Sequence, residues 1–145
     1  MHRYSYYKTA ACTPNVSIGD PQANKEEILN CIQKLDSDTQ LVVFPELCIT
    51  GYTCQDLFYE HTLLNKAKQV LFEIVEELPE NLVAVLGLPL EIDNKLYNCA
   101  ARKDVINTHI IISLIHGTAI FIRYSYIHIK ILIYRCNSTV FNIYA

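Results

Sequence analysis

Residues 42–52 read Val-Val-Phe-Pro-Glu-Leu-Cys-Ile-Thr-Gly-Tyr, and they place an acid directly after a short apolar run. The run begins at Leu41 and is continuously apolar, which is typical of a strand that is covered on both faces of its sheet. Pro45 ends the run, because proline cannot donate a hydrogen bond to a sheet. Binding sites in open α/β sheets form outside the carboxyl ends of the strands, so Glu46 is a candidate general base.

The segments on either side of this run alternate between the patterns of helices and strands. Asp20 and Pro21 predict the start of a helix over 21–35, since Asp is a good cap and Pro suits the first helical position. Asn94 lies in a predicted turn over 91–95 and is expected to have a positive φ. The other predicted elements are strands over 9–12, 41–44, 83–88 and 96–101, a loop over 45–58 and a helix over 63–78. The order strand, helix, strand, helix, strand, strand indicates an α/β fold.

Charge and composition divide the chain near residue 104. Residues 1–104 carry a net charge of −6, whereas residues 105–145 carry +3 and contain 12 isoleucines without a regular hydrophobic period. We therefore predict an N-terminal part of a domain over 1–104 and an atypical tail, rich in Ile and Tyr, over 105–145. The residue types of the tail are those that AT-rich codons encode. This leads to the hypothesis that the tail is mistranslated sequence joined to a truncated gene.

The composition favours neither nucleic acid nor a membrane as a partner. A nucleic-acid binder normally shows a basic face, and the first 104 residues are acidic. No stretch reaches the ~18 unbroken apolar residues that a membrane-spanning helix needs. The six cysteines are scattered without the spacing of metal ligands, so no metal site is predicted. Residues 1–8 lack the apolar core of a secretory leader, and we expect reduced thiols in a cytoplasmic protein.

The Glu46 segment resembles the first signature of the nitrilase, or carbon–nitrogen hydrolase, superfamily. Its continuation over 53–58, Thr-Cys-Gln-Asp-Leu-Phe, is similar to an extension in the amidase domain of glutamine-dependent NAD synthetases. The segments 10–14, 87–90 and 96–100 fit the same subgroup. The resemblance covers roughly residues 4–101, and it implies a truncated, partial form of the family's nitrilase-like α-β-β-α sandwich.

This resemblance also implies a reaction. The family's amidases use a Cys thiolate to attack the amide of glutamine, a Glu to accept the thiol proton and a Lys to steady the oxyanion. By motif, Glu46 corresponds to the proton acceptor. The released ammonia then serves a separate ATP-using domain that amidates deamido-NAD. The implied partners are glutamine and, in the intact relative, deamido-NAD and further copies of the same chain. No cofactor is expected in 1–145 itself, and ATP belongs to the synthetase domain.

The Lys and the Cys of this reaction have no counterpart by motif. Lys130 is followed by Ile-Leu-Ile rather than by the Leu-Pro context of the family, and Cys136 lies in no matching segment. Cys48 and Cys54 are expected to be small buried hydrophobes rather than nucleophiles. We therefore predict that the chain has no glutaminase activity by itself.

Other assignments stay open from the sequence. Tyr52 and Phe58 are candidates for lining the glutamine pocket, although packing in an aromatic core explains them equally well. One alternative function is a piece of a stand-alone amidase of the same superfamily that acts on small ω-amides. The other is a non-catalytic protein whose tail mediates membrane or protein contacts. An ATP-using domain downstream in the gene would separate the first alternative from the synthetase, and membrane partitioning of the tail would test the second.

Overall fold

The computed structural model describes residues 7–103 in full and the backbone of 109–113, 118–125 and 128–135. In this part of the chain a 3₁₀ helix, Gln55–Tyr59, lies in the segment that was predicted to be a loop. The α-helices and strands are, in order, β1 (Thr9–Ala11), α1 (Pro21–Gln33), β2 (Leu41–Val43), α2 (His61–Glu77), β3 (Val83–Ile92), β4 (Lys95–Lys103), β5 (His109–Ser113), β6 (Thr118–Ser125) and β7 (His128–Arg135).

Strands β1 to β4 form one sheet in that order. The pairs β1–β2 and β2–β3 are parallel, and β3 and β4 form an antiparallel hairpin. The helices α1 and α2 provide the crossovers that parallel neighbours require. The α/β layout predicted from the sequence is therefore confirmed. Strands β5 to β7 form a separate antiparallel sheet. The predicted boundary at residue 104 falls between β4 and β5 and stays a prediction.

The core lies between the two helices and one face of the four-stranded sheet. Ile28 of α1 and Ile74 of α2 are fully buried, as are Val42 of β2 and Leu88 of β3. These residues belong to one continuous apolar cluster. Burial of this kind stabilises a fold by about 25 cal/mol per Å² of apolar surface. The cluster extends past β2 through Phe44, Cys48 and Ile49, whereas the side chain of Glu46 between them is exposed.

Local signals set the ends of several elements. Asp20 Oδ1 accepts a hydrogen bond from Ala23 N at 3.1 Å, so the predicted cap of α1 is confirmed. The turn between β3 and β4 consists of Asp93 and Asn94, with φ values of 51° and 59°. Two positive φ values are what a tight type I′ hairpin turn requires, and the prediction for Asn94 is confirmed. The turn is shorter than predicted because β3 stays paired with β4 as far as Ile92.

Candidate active site

Glu46 lies three positions after the last residue of β2, with its side chain exposed. Phe44 N still donates to Val85 O of β3 at 2.9 Å, and Pro45 then ends the pairing because it has no N–H. The chain turns at once, since Leu47 has a φ of 51°, in the left-handed region that few L-residues adopt. The carboxylate therefore leaves the sheet at the carboxyl end of a parallel strand, as the sequence predicts.

The loop after Glu46 is tied to itself and to β3. Leu47 O accepts hydrogen bonds from Thr50 N at 3.1 Å and from Gly51 N at 2.7 Å. Ile49 N donates to Gly87 O of β3 at 3.2 Å. The loop thus forms a closed turn whose backbone rests on the neighbouring strand. A carboxylate on such a turn has a fixed starting position for its side chain.

Gly87 allows the Glu46 backbone to approach β3. A Cβ at position 87 would lie 2.5 Å from Leu47 N, 2.6 Å from Pro45 O and 2.8 Å from Glu46 C. All three distances are shorter than real Cβ contacts, and all three atoms belong to the main chain. From the sequence alone, Gly87 has no role beyond its place in the family resemblance. A glycine inside a strand is nevertheless a known signal of close backbone approach.

Asn98 binds the carboxylate of Glu46. Its side-chain Nδ2 donates a hydrogen bond to Glu46 Oε1. Asn98 lies on β4, opposite Pro89 in the β3–β4 hairpin, and is half-buried. The hairpin thus supplies both the strand backbone against which the Glu46 main chain lies and a hydrogen-bond donor for its side chain. In the sequence, Asn98 belongs to a segment that matches the family, and no role for it is predicted.

Asn24 anchors the loop from the opposite side. It is fully buried on α1, where its Nδ2 donates to Ser17 O at 2.8 Å and to Ile49 O at 2.9 Å. Its Oδ1 accepts from Ser17 N at 2.7 Å. A buried amide is stable only when its polar atoms have partners, and here they connect α1 to two loops. Asn24 was not predicted as a functional residue, although an Asn four positions before Ile28 on the apolar stripe of a helix is a signal of a buried amide.

Asn24→Ala is expected to lower the free energy of unfolding by about 2 kcal/mol, because three hydrogen bonds are lost and Ser17 N, Ser17 O and Ile49 O each lose a partner. Asn30→Ala is the matched control, since Asn30 is exposed on the same helix. It should change the free energy of unfolding by less than about 0.5 kcal/mol. Urea unfolding followed by circular dichroism measures both. Equal effects of the two substitutions would contradict the anchoring role.

Cys48 and Cys54 lie in the Glu46 segment with their sulfurs inside the protein. The exposed fractions of the two residues are 1% and 3%. The Cys48 thiol donates to Gly87 O at 3.5 Å, and burial raises its pKa to about 12. Cys54 Sγ donates to Thr50 O at 3.1 Å. The raised pKa keeps the Cys48 thiol neutral at pH 7, and only a thiolate is an effective nucleophile. The structure therefore supports the prediction that these cysteines are packing residues.

Native thiol labelling should follow this burial. With iodoacetamide at pH 8, we expect the half-buried Cys12 and Cys31 to react at least ~10-fold faster than Cys48 and Cys99. Peptide mass spectrometry measures each rate, and the chain in urea is the control in which the rates converge. Fast native labelling of Cys48 would contradict its burial.

Burial also raises the pKa of Cys99 to about 12. The stabilising effect of the neutral Cys48 and Cys99 thiols is therefore complete below about pH 8.5 and is lost as the pH rises toward about 12.

Comparison with known proteins identifies the family. Residues 8–114 match the family model described as carbon-nitrogen hydrolase. The chain belongs to the carbon–nitrogen hydrolase family. The resemblance of the Glu46 segment is thereby confirmed. A curated relative, the glutamine-dependent NAD(+) synthetase of Mycobacterium tuberculosis (strain H37Rv), is 35% identical over 101 residues, which are 68% of this chain and 15% of the relative. The human protein of the same name is 33% identical over 92 residues, 62% of this chain and 13% of the relative.

Solved carbon–nitrogen hydrolases share the fold. The glutamine-dependent NAD(+) synthetase from Cytophaga hutchinsonii superposes with a TM-score of 0.64 at 31% identity, over 68% of this chain and 17% of that one. A Nesterenkonia amidase of the nitrilase superfamily has a TM-score of 0.57 at 22% identity, over 72% and 40%. At that identity the second likeness concerns the fold alone. Together they confirm a partial nitrilase-like α/β fold, and the chain spans about 15% of the length of its first curated relatives.

The other residues considered for the site of this carbon–nitrogen hydrolase, two predicted and two rejected by motif, lie in different settings. Tyr52 is 58% exposed, and Phe58 is half-buried in the 3₁₀ helix. Their role in a glutamine pocket stays a prediction. Lys130 lies in β7, of which the structure describes the backbone, and Cys136 lies outside the described residues. Within the described ranges, no cluster of three or more His, Cys, Asp or Glu could hold a metal, and no helix is long and apolar enough to cross a membrane.

Proposed function

We propose that this chain forms part of an amidase unit that hydrolyses glutamine and supplies ammonia for NAD(+) synthesis. The position of Glu46 carries the proposal. This residue follows β2 inside the segment that matches the carbon–nitrogen hydrolase family, and an amide of β4 binds its carboxylate. The name of the 35% identical relative, a glutamine-dependent NAD(+) synthetase, supports glutamine as the substrate.

In the proposed reaction, Glu46 takes the proton of a cysteine thiol as the sulfur bonds to the amide carbon of glutamine. The carbonyl π electrons move to oxygen, where a lysine ammonium stabilises the charge. The proton then passes to the leaving nitrogen as the C–N bond breaks, which gives ammonia and a thioester. Water hydrolyses the thioester to glutamate and restores the thiol. The lysine and the cysteine come from parts of the site other than the described residues near Glu46.

The proposal includes the use of the ammonia. An ATP-using synthetase domain joins it to deamido-NAD, so ATP acts there and not at Glu46.

We propose that the reaction takes place in the cytoplasm, because a reducing compartment keeps cysteines as thiols. The free cysteines are Cys12, Cys31, Cys48, Cys54 and Cys99. We also propose that the intact protein is a homo-oligomer. The mass of the native protein by light scattering tests that last point.

The 145-residue chain is expected to release no ammonia from glutamine by itself. Cys48, the cysteine closest to Glu46 in sequence, is buried with a pKa raised to about 12, and the absence of a working nucleophile can cost ~10⁶ in turnover. A coupled assay for ammonia on the purified chain measures this, with Glu46→Gln as the matched variant. Ammonia release that Glu46→Gln abolishes would contradict the prediction.

A chimera tests the proposed function. The aligned 101-residue segment of the M. tuberculosis synthetase is replaced by that of this chain. We expect the chimera to form NAD(+) with glutamine as nitrogen donor, because the segment supplies the proton acceptor in its own fold. Ammonium chloride in place of glutamine is the control for the synthetase half. Loss of the glutamine-dependent activity alone would count against the proposal, and hydrolysis of small ω-amides in preference to glutamine would favour a stand-alone amidase.

A further inference from the structure

The carboxylate of Glu46 has a partner that comes from a distant part of the chain. Asn98 Nδ2 donates to Glu46 Oε1, although 52 positions separate the two residues. The register of the β3–β4 hairpin sets Asn98 opposite Pro89, two positions after the Gly87 that supports the Glu46 backbone. The same hairpin therefore contacts the main chain of Glu46 through Gly87 and binds one oxygen of its side chain through Asn98.

The chemistry of an amide suits this position. A glutamate side chain has three rotatable bonds, and the torsion angle about the last of them is broadly distributed. The carboxylate of an exposed Glu is therefore free to turn. A hydrogen bond from an N–H to one oxygen of a carboxylate is charge-assisted and removes that freedom. The asparagine amide does not ionise at neutral pH, so it holds Oε1 without competing for the proton. With Oε1 held, the same hydrogen bond also sets the orientation of Oε2.

We propose that Asn98 is a positioning residue that holds Glu46 Oε1 and thereby aims Oε2 at the proton of the nucleophile. The role of Glu46 as proton acceptor in this inference rests on the proposed function. The hydrogen bond between Asn98 and Glu46 is independent of that function. A group that has to meet a reacting atom loses ~10²-fold in rate for a displacement of about 1 Å. Asn98 therefore acts on turnover through the orientation of Glu46 rather than through the substrate.

The first test uses the 145-residue chain and no substrate. In ¹⁵N-labelled protein, the side-chain amide signals of Asn98 are expected to depend on the charge of the group that accepts their hydrogen bond. Glu46→Gln should therefore shift these signals, and Glu26→Gln, which replaces an exposed acid of α1, should leave them unchanged. Asn98 signals that are identical in the native chain and in Glu46→Gln would overturn the pairing.

The second test measures turnover in the chimera with glutamine. Asn98→Ala is expected to lower kcat by ~10²-fold with a KM within about threefold of the parent value. The Asp side chain has the shape of Asn but no N–H to donate, so Asn98→Asp should not restore kcat. If Asn98 only filled space, Asn98→Asp would restore kcat. Asn81→Ala is the control, because Asn81 is exposed between α2 and β3.

The two tests separate the two proposals. A kcat of Asn98→Ala within twofold of the parent, an effect on KM alone or full rescue by Asn98→Asp would each overturn the positioning role. A chimera that is inactive with Asn98 in place, while ammonia-dependent synthesis persists, would count against the proposed function. In that case the amide signals of Asn98 still decide whether it holds the Glu46 carboxylate.

Discussion

Glu46→Gln in the chimera is expected to lower glutamine-dependent NAD(+) formation by ~10²–10⁴-fold and to leave ammonia-dependent formation unchanged. Glutamine has the shape of glutamate, and its amide oxygen still accepts the hydrogen bond from Asn98 Nδ2. It cannot take a proton from a thiol at neutral pH. The substitution therefore removes proton acceptance while it keeps the packing of the loop, and the ratio of the two activities measures the loss.

Two further variants define what Glu46 contributes. Glu46→Asp keeps a proton acceptor but withdraws it by one methylene, so an intermediate rate is expected. Glu26→Gln removes an exposed acid of α1 and should leave both activities unchanged. A Glu46→Gln chimera that keeps its glutamine-dependent rate would show that another group accepts the thiol proton. A variant that loses both activities has lost the fold of the chimera, which circular dichroism detects.

The parts of the fold that the sequence predicts are those with local causes. Pro45 ends β2 because the missing N–H acts at its own position. Asp20 caps α1 through the amide three residues on, at 3.1 Å, and Asn94 accepts a positive φ in its own turn. The 3₁₀ helix over Gln55–Tyr59 was missed, since a five-residue turn of this kind leaves no apolar period.

The parts of the site that sequence reasoning missed depend on contacts between distant segments. Asn98 meets Glu46 only because the register of the β3–β4 hairpin brings it to the carboxyl end of β2. Asn24 reaches Ile49 O only because α1 packs beside the loop. A single sequence shows that such residues are polar and where they stand, but it does not show which segment approaches them. The position of Glu46 after a strand end is predictable because its signal, a proline after an apolar run, is local.

Gly87→Ala is expected to lower the free energy of unfolding of the 145-residue chain by at least ~3 kcal/mol, at the upper end of overpacking effects. The added Cβ would lie 2.5 Å from Leu47 N and 2.6 Å from Pro45 O. Neither atom can move cheaply, because the hydrogen bond from Phe44 N to Val85 O, at 2.9 Å, holds the chain just before the turn. Relief of the overlap has to push the Glu46 loop away from β3.

Gly19→Ala provides the graded comparison for this effect. A Cβ there would meet Leu57 Cδ1 at 3.3 Å, the end of a flexible side chain, and the φ of +70° adds a backbone cost of about 1–2 kcal/mol. Urea unfolding of both variants should therefore rank Gly87→Ala as the more destabilised. If Gly87→Ala unfolds no more easily than Gly19→Ala, the β3 backbone does not lie against the Glu46 peptide. The support for the Glu46 main chain would then have to come from another part of the chain.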